Sequence, residues 1–331
     1  MTTRRELIPV LGAAAFLALP WSAGAQQAPK LPRIGVLWFA KASDPWVGRH
    51  MAIFRQRMRE LGYIDGKTIL IEERYSDGNP QRLSELAGEL VASKVDIIVA
   101  SAVAAALAAR EATATIPIVM VHAGNPVGAG LIASLARPGG NVTGTTNLPL
   151  GGKLVEVMHE LLPRATKLAV LVNPTNAGVR DRDGSALTAE AARGFGMGLV
   201  VVEVSRDEHF AGAYARIREA RADALLVFVE PLIGKHRFEL LEFVTGIRLP
   251  TGSDNGDTTR AGGLVSYGPL YSEHYVMAAT YVDRLLKGTK PADLPVEQPT
   301  RFEVIVNLKT AKALGLAIPQ SLLLRADEVI Q

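Results

Sequence analysis

From Arg33 onward the chain alternates short apolar runs with longer amphipathic segments, and it does so twice, on either side of a Gly- and Pro-rich stretch. In the first array, residues 33–38, 69–75, 96–100 and 116–121 read as strands. Between them, residues 46–61 carry Met51, Phe54, Met58 and Leu61 at helical spacing and stop at Gly62, a residue suited to end a helix. Residues 80–93 and the Ala-rich run 102–113 read as further helices. Strands separated by helices need crossover connections, which dictate a parallel sheet with helices on both faces.

The rhythm breaks over residues 124–152, where a short apolar helix at 129–136 and a strand at 142–146 are predicted, and then restarts. Residues 154–162, 187–195, 210–221 and 235–244 read as helices, and 168–172, 199–204, 224–229 and 249–250 as strands. The tail has strands at 263–267 and 302–306, helices at 271–286 and 308–314, and a Pro-rich connector at 290–299. This is too little to bury a core alone, so it should return to complete what precedes it. The predicted fold is α/β: two doubly wound, Rossmann-like lobes joined by a multi-strand hinge. Residues 33–145 with 268–297 make lobe 1, and 146–267 with 298–331 make lobe 2.

Residues 1–25 read as an export signal rather than as fold. A basic head ends in Arg4-Arg5, an apolar run follows over 8–19, and Ser22-Ala23-Gly24-Ala25 supplies the small-x-small pattern of signal peptidase, predicting cleavage after Ala25. The apolar run is shorter than the roughly 20 residues that span a bilayer. Thr3-Arg4-Arg5-Glu6-Leu7 resembles a twin-arginine signal, with Leu7 where Phe is usual, so both that route and the general secretory route to the periplasm stay open.

Removing 25 of 331 residues leaves 306, which suits two lobes better than one core. The leader holds Arg4, Arg5 and Glu6, so 36 basic and 33 acidic residues become 34 and 32. That near-balance lacks the basic stripe of a nucleic-acid binder. The absence of Cys removes disulfides, thiolate nucleophiles and Cys-based zinc sites. The six His show no metal-ligand spacing, and there is neither a G-x-S-x-G elbow nor a phosphate loop, so neither cofactor nor metal is expected.

Two long motifs carry a family resemblance. Residues 116–144 (IPIVMVHAGNPVGAGLIASLARPGGNVTG) form one, and 293–303 (DLPVEQPTRFE) with 307–316 (NLKTAKALGL) form the other. They resemble bacterial ABC-transporter substrate-binding proteins of the tryptophan-binding-protein-like family. The resemblance implies the type I periplasmic-binding-protein architecture, with a small molecule, an amino acid or aromatic compound, enclosed between the lobes. It further implies a monomer docking on an inner-membrane ABC permease, and no catalysis. A sensory protein reporting to a membrane receptor, or an exported enzyme on the same fold, would share the cleft.

In doubly wound sheets ligands lie beyond the carboxyl ends of the strands. That rule selects residues 38–44, 101–102, 122–125, 173–176, 230 and 252–255. Ser101 and Ala102 open a helix whose N-terminus favours an anion, although Ser101 can equally cap that helix with its own hydroxyl. Trp38 and Phe39 offer aromatic faces, or pack in the core. Asn125, Asn147 and Asn173 donate and accept, and Asn is also a turn residue. Glu230 and Asp254 can meet an ammonium or solvent. His122 can serve as a base or as a structural imidazole. Tyr267 follows a predicted hinge strand.

Overall fold

A computed structural model of the chain describes residues 31–176 and 185–331. The expected leader over residues 1–25 lies outside the described residues. In chain order the elements are β1 Arg33–Trp38, α1 Pro45–Glu60, β2 Leu70–Tyr75, α2 Pro80–Ala92, β3 Ile97–Ser101, α3 Ala102–Ala112, β4 Ile118–Ala123 and β5 Val142–Thr146. Then follow α4 Gly151–Leu161, β6 Lys167–Val172, α5 Ser185–Gly194, β7 Gly198–Glu203, α6 His209–Ala220, β8 Ala224–Val227, α7 Pro231–Lys235 and α8 Arg237–Gly246. The rest are β9 Thr251–Ser253, α9 Gly256–Arg260, β10 Val265–Pro269, α10 Tyr271–Leu286, β11 Phe302–Asn307, α11 Leu308–Leu314, α12 Gln320–Arg325 and β12 Glu328–Ile330.

Among the described residues the strands form two sheets. The first has five parallel strands in the order β2-β1-β3-β4-β5. The second has seven, in the order β12-β11-β10-β9-β8-β6-β7, with β11 antiparallel to β10 and the rest parallel to their neighbours. Each order reverses once, between β1 and β3 and between β6 and β8. Helices therefore cover both faces of each sheet, the doubly wound fold that the alternating pattern predicts.

Strand parity sorts the first core. Ile34, Val36 and Trp38 face α1 and α10, while Leu37 faces the layer of α2 and α3. Helix α10, drawn from the C-terminal part of the chain, thus packs on the N-terminal sheet. Residues 294 to 297 follow it and extend the edge of β5, where Thr146 N–H donates to the Glu297 carbonyl at 3.0 Å. The chain passes between sheets at residues 147–150, 270 and 298–301, and the last two passages are joined by Leu270 N–H to Arg301 carbonyl at 3.0 Å.

Some elements depart from the sequence pattern. The apolar run at 129–136 is not helical. Gly130 sits at φ +70° and Asn125 Oδ1 accepts the Gly128 N–H, so turns carry Leu131 and Ile132 into the core instead. The predicted helix at 235–244 is two helices, broken at His236. The short strand predicted at 249–250 lies at Thr251–Ser253, because Leu249 packs in the core and Pro250 has no N–H for a ladder. The helices α9 and α12 and the strand β12 are too short to leave a readable period.

Gly144 fixes the β4–β5 register, since a Cβ there would lie 2.1 Å from the Met120 carbonyl oxygen and its φ is +127°. Gly144→Ala should therefore cost more than about 2 kcal/mol in urea unfolding. Gly140→Ala, with open space around it, should stay within about 0.5 kcal/mol of the parent.

Candidate functional site

The carboxyl ends of the two sheets open on one cavity of about 380 Å³. Both reversal points feed it. From the first sheet come Phe39, Lys41, Ser43 and Asp44 after β1, Ser101 and Ala102 at the β3–α3 junction, and His122 and Gly124 at the end of β4. From the second come Asn176 after β6, Val229 and Glu230 after β8, and Asn255 after β9. Lys235, Arg237 and Phe238, around the α7–α8 break, complete that side.

The cavity wall in lobe 1 is aromatic. Asp44 caps α1 by accepting the Trp46 N–H at 2.9 Å, and Pro45 opens the helix, which sets Trp46 in its first turn against the cavity. Trp46 lies edge-on to His122 (5.6 Å), Tyr275 (5.9 Å), Trp38 (6.0 Å) and Tyr271 (6.1 Å). Edge-to-face contacts of this kind suit the ring quadrupoles. Behind it, Trp38 is fully buried and stacks on Tyr275 at 5.6 Å with planes 15° apart. Trp38 thus supports the wall without lining it, a correction to its expected place in the cleft.

Ser101 is the N-cap residue of α3 but makes no side-chain cap bond. Its hydroxyl instead lies 3.0 Å from His122 Nε2 and 3.1 Å from Tyr275 Oη. The first-turn N–H groups of α3, next to the cavity, are consequently left uncapped by a side chain. Burial raises the Tyr275 phenol pKa, so the hydroxyl stays protonated. The backbone here is unusual: Ala102 has φ +70° and His122 φ +45°. Strand β4 slips its register against β5 between Met120 and Ala123, and this irregularity re-aims His122 toward the cavity. Left-handed non-Gly residues cost free energy and tend to gather at functional sites.

In lobe 2, Glu230 caps α7 through Oε1 to the Ile233 N–H at 2.7 Å. Its Oε2 accepts from Asn173 Nδ2 at 3.1 Å and Asn176 Nδ2 at 3.0 Å. Asn173 is therefore buried behind Glu230 and is absent from the lining. Several other expected ligand groups serve the backbone instead. Asp254 is buried and accepts the Val229 N–H at 2.7 Å. Asn147 donates to the His122 carbonyl at 3.3 Å, and Asn125 closes its own turn on Gly128 at 2.9 Å. Tyr267 stacks on Phe302 at 5.7 Å against the lobe 2 core. Of the residues expected to bind, Phe39, Ser101, Ala102, His122 and Glu230 reach the cavity; Trp46, Tyr271, Arg237 and Phe238 are additions that strand exits do not reveal.

Two buried imidazoles underlie the wall. Burial lowers the His50 pKa to about 4, against the opposing hydrogen bond to the Trp46 carbonyl, and lowers that of His274 to about 3. Both are neutral in the fold and protonate more readily when unfolded, near the ordinary value of 6.5. Their contribution to stability is complete above that value and is lost as pH falls from 6.5 toward 4 and 3. Urea unfolding at pH 7 and pH 5 should show this loss, and His50→Gln should make it shallower.

The lobes also meet through Arg49 on α1 and Asp257 on α9, 2.6 Å apart, with the Arg49 side chain 50% exposed. Arg49→Ala should cost less than about 1 kcal/mol of stability, yet enlarge the ligand-free radius of gyration in small-angle scattering.

A sequence model of the family described as "ABC transporter substrate binding protein" matches residues 46–330. The chain is similar to a Clostridioides difficile protein named "Tyrosine-binding protein", at 27% identity over 263 residues, covering 80% of this chain and 75% of that one. It is also similar to an ABC domain from Streptococcus pneumonia solved in complex with L-Trp, with TM-score 0.85 and 26% identity, over 91% of this chain and all of that one. A conserved domain protein from Vibrio cholerae superposes equally well, at TM-score 0.85 and 26% identity with the same coverage.

Proposed function

The chain belongs to the ABC transporter substrate-binding protein family, and from that premise we propose that it captures a small solute with a flat apolar body between its lobes and delivers it to an importer permease outside the cytoplasm. The observation that carries this reading is the convergence of both sheet reversal points on one cavity. That is where doubly wound sheets bind ligands. Relatives named for tyrosine and solved with L-Trp favour an aromatic amino acid or a related aromatic compound.

Each wall has a role. Trp46 and Tyr271 give the ligand a large contact area at small cost in side-chain freedom, because aromatic rings have few rotatable bonds. The uncapped start of α3 and the Ser101–His122 pair present polar atoms from lobe 1; Glu230, Asn176 and Asn255 do so from lobe 2. A ligand touching both sides stabilises the closed arrangement over an open one, with bending at the passages between sheets.

Intrinsic fluorescence tests this, since Trp38 and Trp46 both stand at the wall. Titration with aromatic amino acids and aromatic acids should change the emission and raise Tm by linkage. Trp46→Ala and Ser101→Ala should each weaken binding about tenfold or more. A protein that binds none of these compounds, or whose affinity is untouched in both variants, refutes the reading.

One contact favours a second reading. Ser101 Oγ and His122 Nε2 at 3.0 Å have the spacing of a nucleophile and its base. Covalent labelling of Ser101 by a fluorophosphonate would select the enzyme. We expect no labelling, because the Ser101 hydroxyl is shared with Tyr275, whose phenol stays protonated beside it.

A further inference from the structure

The run Lys235-His236-Arg237 spans the break between α7 and α8; Lys235 and Arg237 line the lobe 2 side of the cavity, and the three basic side chains differ in their partners. Lys235 pairs with Asp207 at 2.5 Å, and His236 lies between Asp207 at 2.8 Å and Glu239 at 2.9 Å. Arg237 has no carboxylate within 4.0 Å among the described residues. Its Nε is buried without a hydrogen-bond partner there, and its guanidinium lies 5.0 Å from the Phe238 ring centroid. A buried donor without an acceptor is costly. The position adds to that cost, because Arg237 is the first residue of α8, where the helix dipole disfavours positive charge.

The acids lining the same cavity do not answer this charge. Both oxygens of Glu230 already accept from backbone or amide donors, Asp44 caps α1, and Asp77 is exposed at the lobe 1 rim. Arg237 lines the cavity, and a planar guanidinium there fits a carboxylate, which it can grip through its two Nη groups as a fork.

We propose that Arg237 takes a carboxylate of the ligand, so that the cavity selects aromatic acids over the corresponding amines. This rests on the small-molecule binding proposed above and specifies the class of solute. The carboxylate is then the required group and the ammonium is dispensable.

Three compounds with one phenol body separate the contributions: L-tyrosine, 4-hydroxyphenylpropionate (no ammonium) and tyramine (no carboxylate). Binding to the wild-type protein is followed by calorimetry and thermal shift. The two acids should bind at least tenfold more tightly than tyramine. Arg237→Gln should weaken both acids at least tenfold and leave tyramine unchanged. Arg237→Lys, with the charge kept and the fork lost, should fall between. Lys153→Gln, on exposed α4 surface, should match wild type. Tyramine binding as tightly as the acids, or acids held within twofold by Arg237→Gln, overturns the proposal while solute binding stands. The wild-type comparison needs no variant and decides the matter if Arg237→Gln does not fold. If none of the three compounds, nor a wider panel of acids and amino acids, binds wild type, solute capture itself fails and the assignment of Arg237 falls with it.

Discussion

The stack of Trp38 on Tyr275 is the contact on which the rest of the site depends. It joins the last residue of β1 to helix α10, 237 residues later in the chain, and both rings are buried. Removing such large apolar surfaces from water supplies the driving force, and the ring contact adds about 0.5–1.5 kcal/mol beyond it. Its position matters as much as its energy. Tyr275 also carries its hydroxyl to Ser101 and its ring to Trp46, so the same side chain closes the core and holds the cavity wall.

That wall stands on strained backbone. Ala102 and His122 occupy the left-handed region at successive strand exits, at a cost on the order of 1–3 kcal/mol each. What holds His122 is local. Thr145 Oγ1 accepts the His122 N–H at 3.0 Å and lies 2.9 Å from His274 Nδ1, while Asn147 secures the His122 carbonyl. The polar residues around the cavity therefore divide into those that face it and those that keep its backbone in place.

This division explains how far the sequence could be read. The alternation of apolar runs and amphipathic segments determines the doubly wound fold, and the rule of strand exits reaches Phe39, Ser101, His122 and Glu230. Strand parity also contains the answer for Trp38: with Ile34 and Val36 it shares the face turned to α1 and α10. Asn147, Asn173 and Asp254 look like ligand groups because type alone cannot distinguish a donor offered to solute from one needed by a buried backbone atom. Trp46, Tyr271 and Arg237 sit at the starts of helices. Their meeting depends on where α10 and α8 dock, a long-range fact that no local period encodes. The helix expected at 129–136 fails for another reason: tight Asn125 and Gly130 geometry overrides an apolar run of helical appearance.

The return of α10 to the first sheet also constrains how the molecule is made. A ribosome delivers β1 to β5 early, yet the layer that α1 begins on one face is completed only by residues 271–286, after most of the other sheet has emerged. The second sheet in turn waits for β11 and β12, the last strands of the chain. Neither half is a unit that finishes while the other is still being synthesised. Contacts so distant in sequence slow folding, because loop closure comes before its reward. The nascent chain should therefore stay incompletely packed until synthesis is nearly over, and the two halves should gain their native cores together.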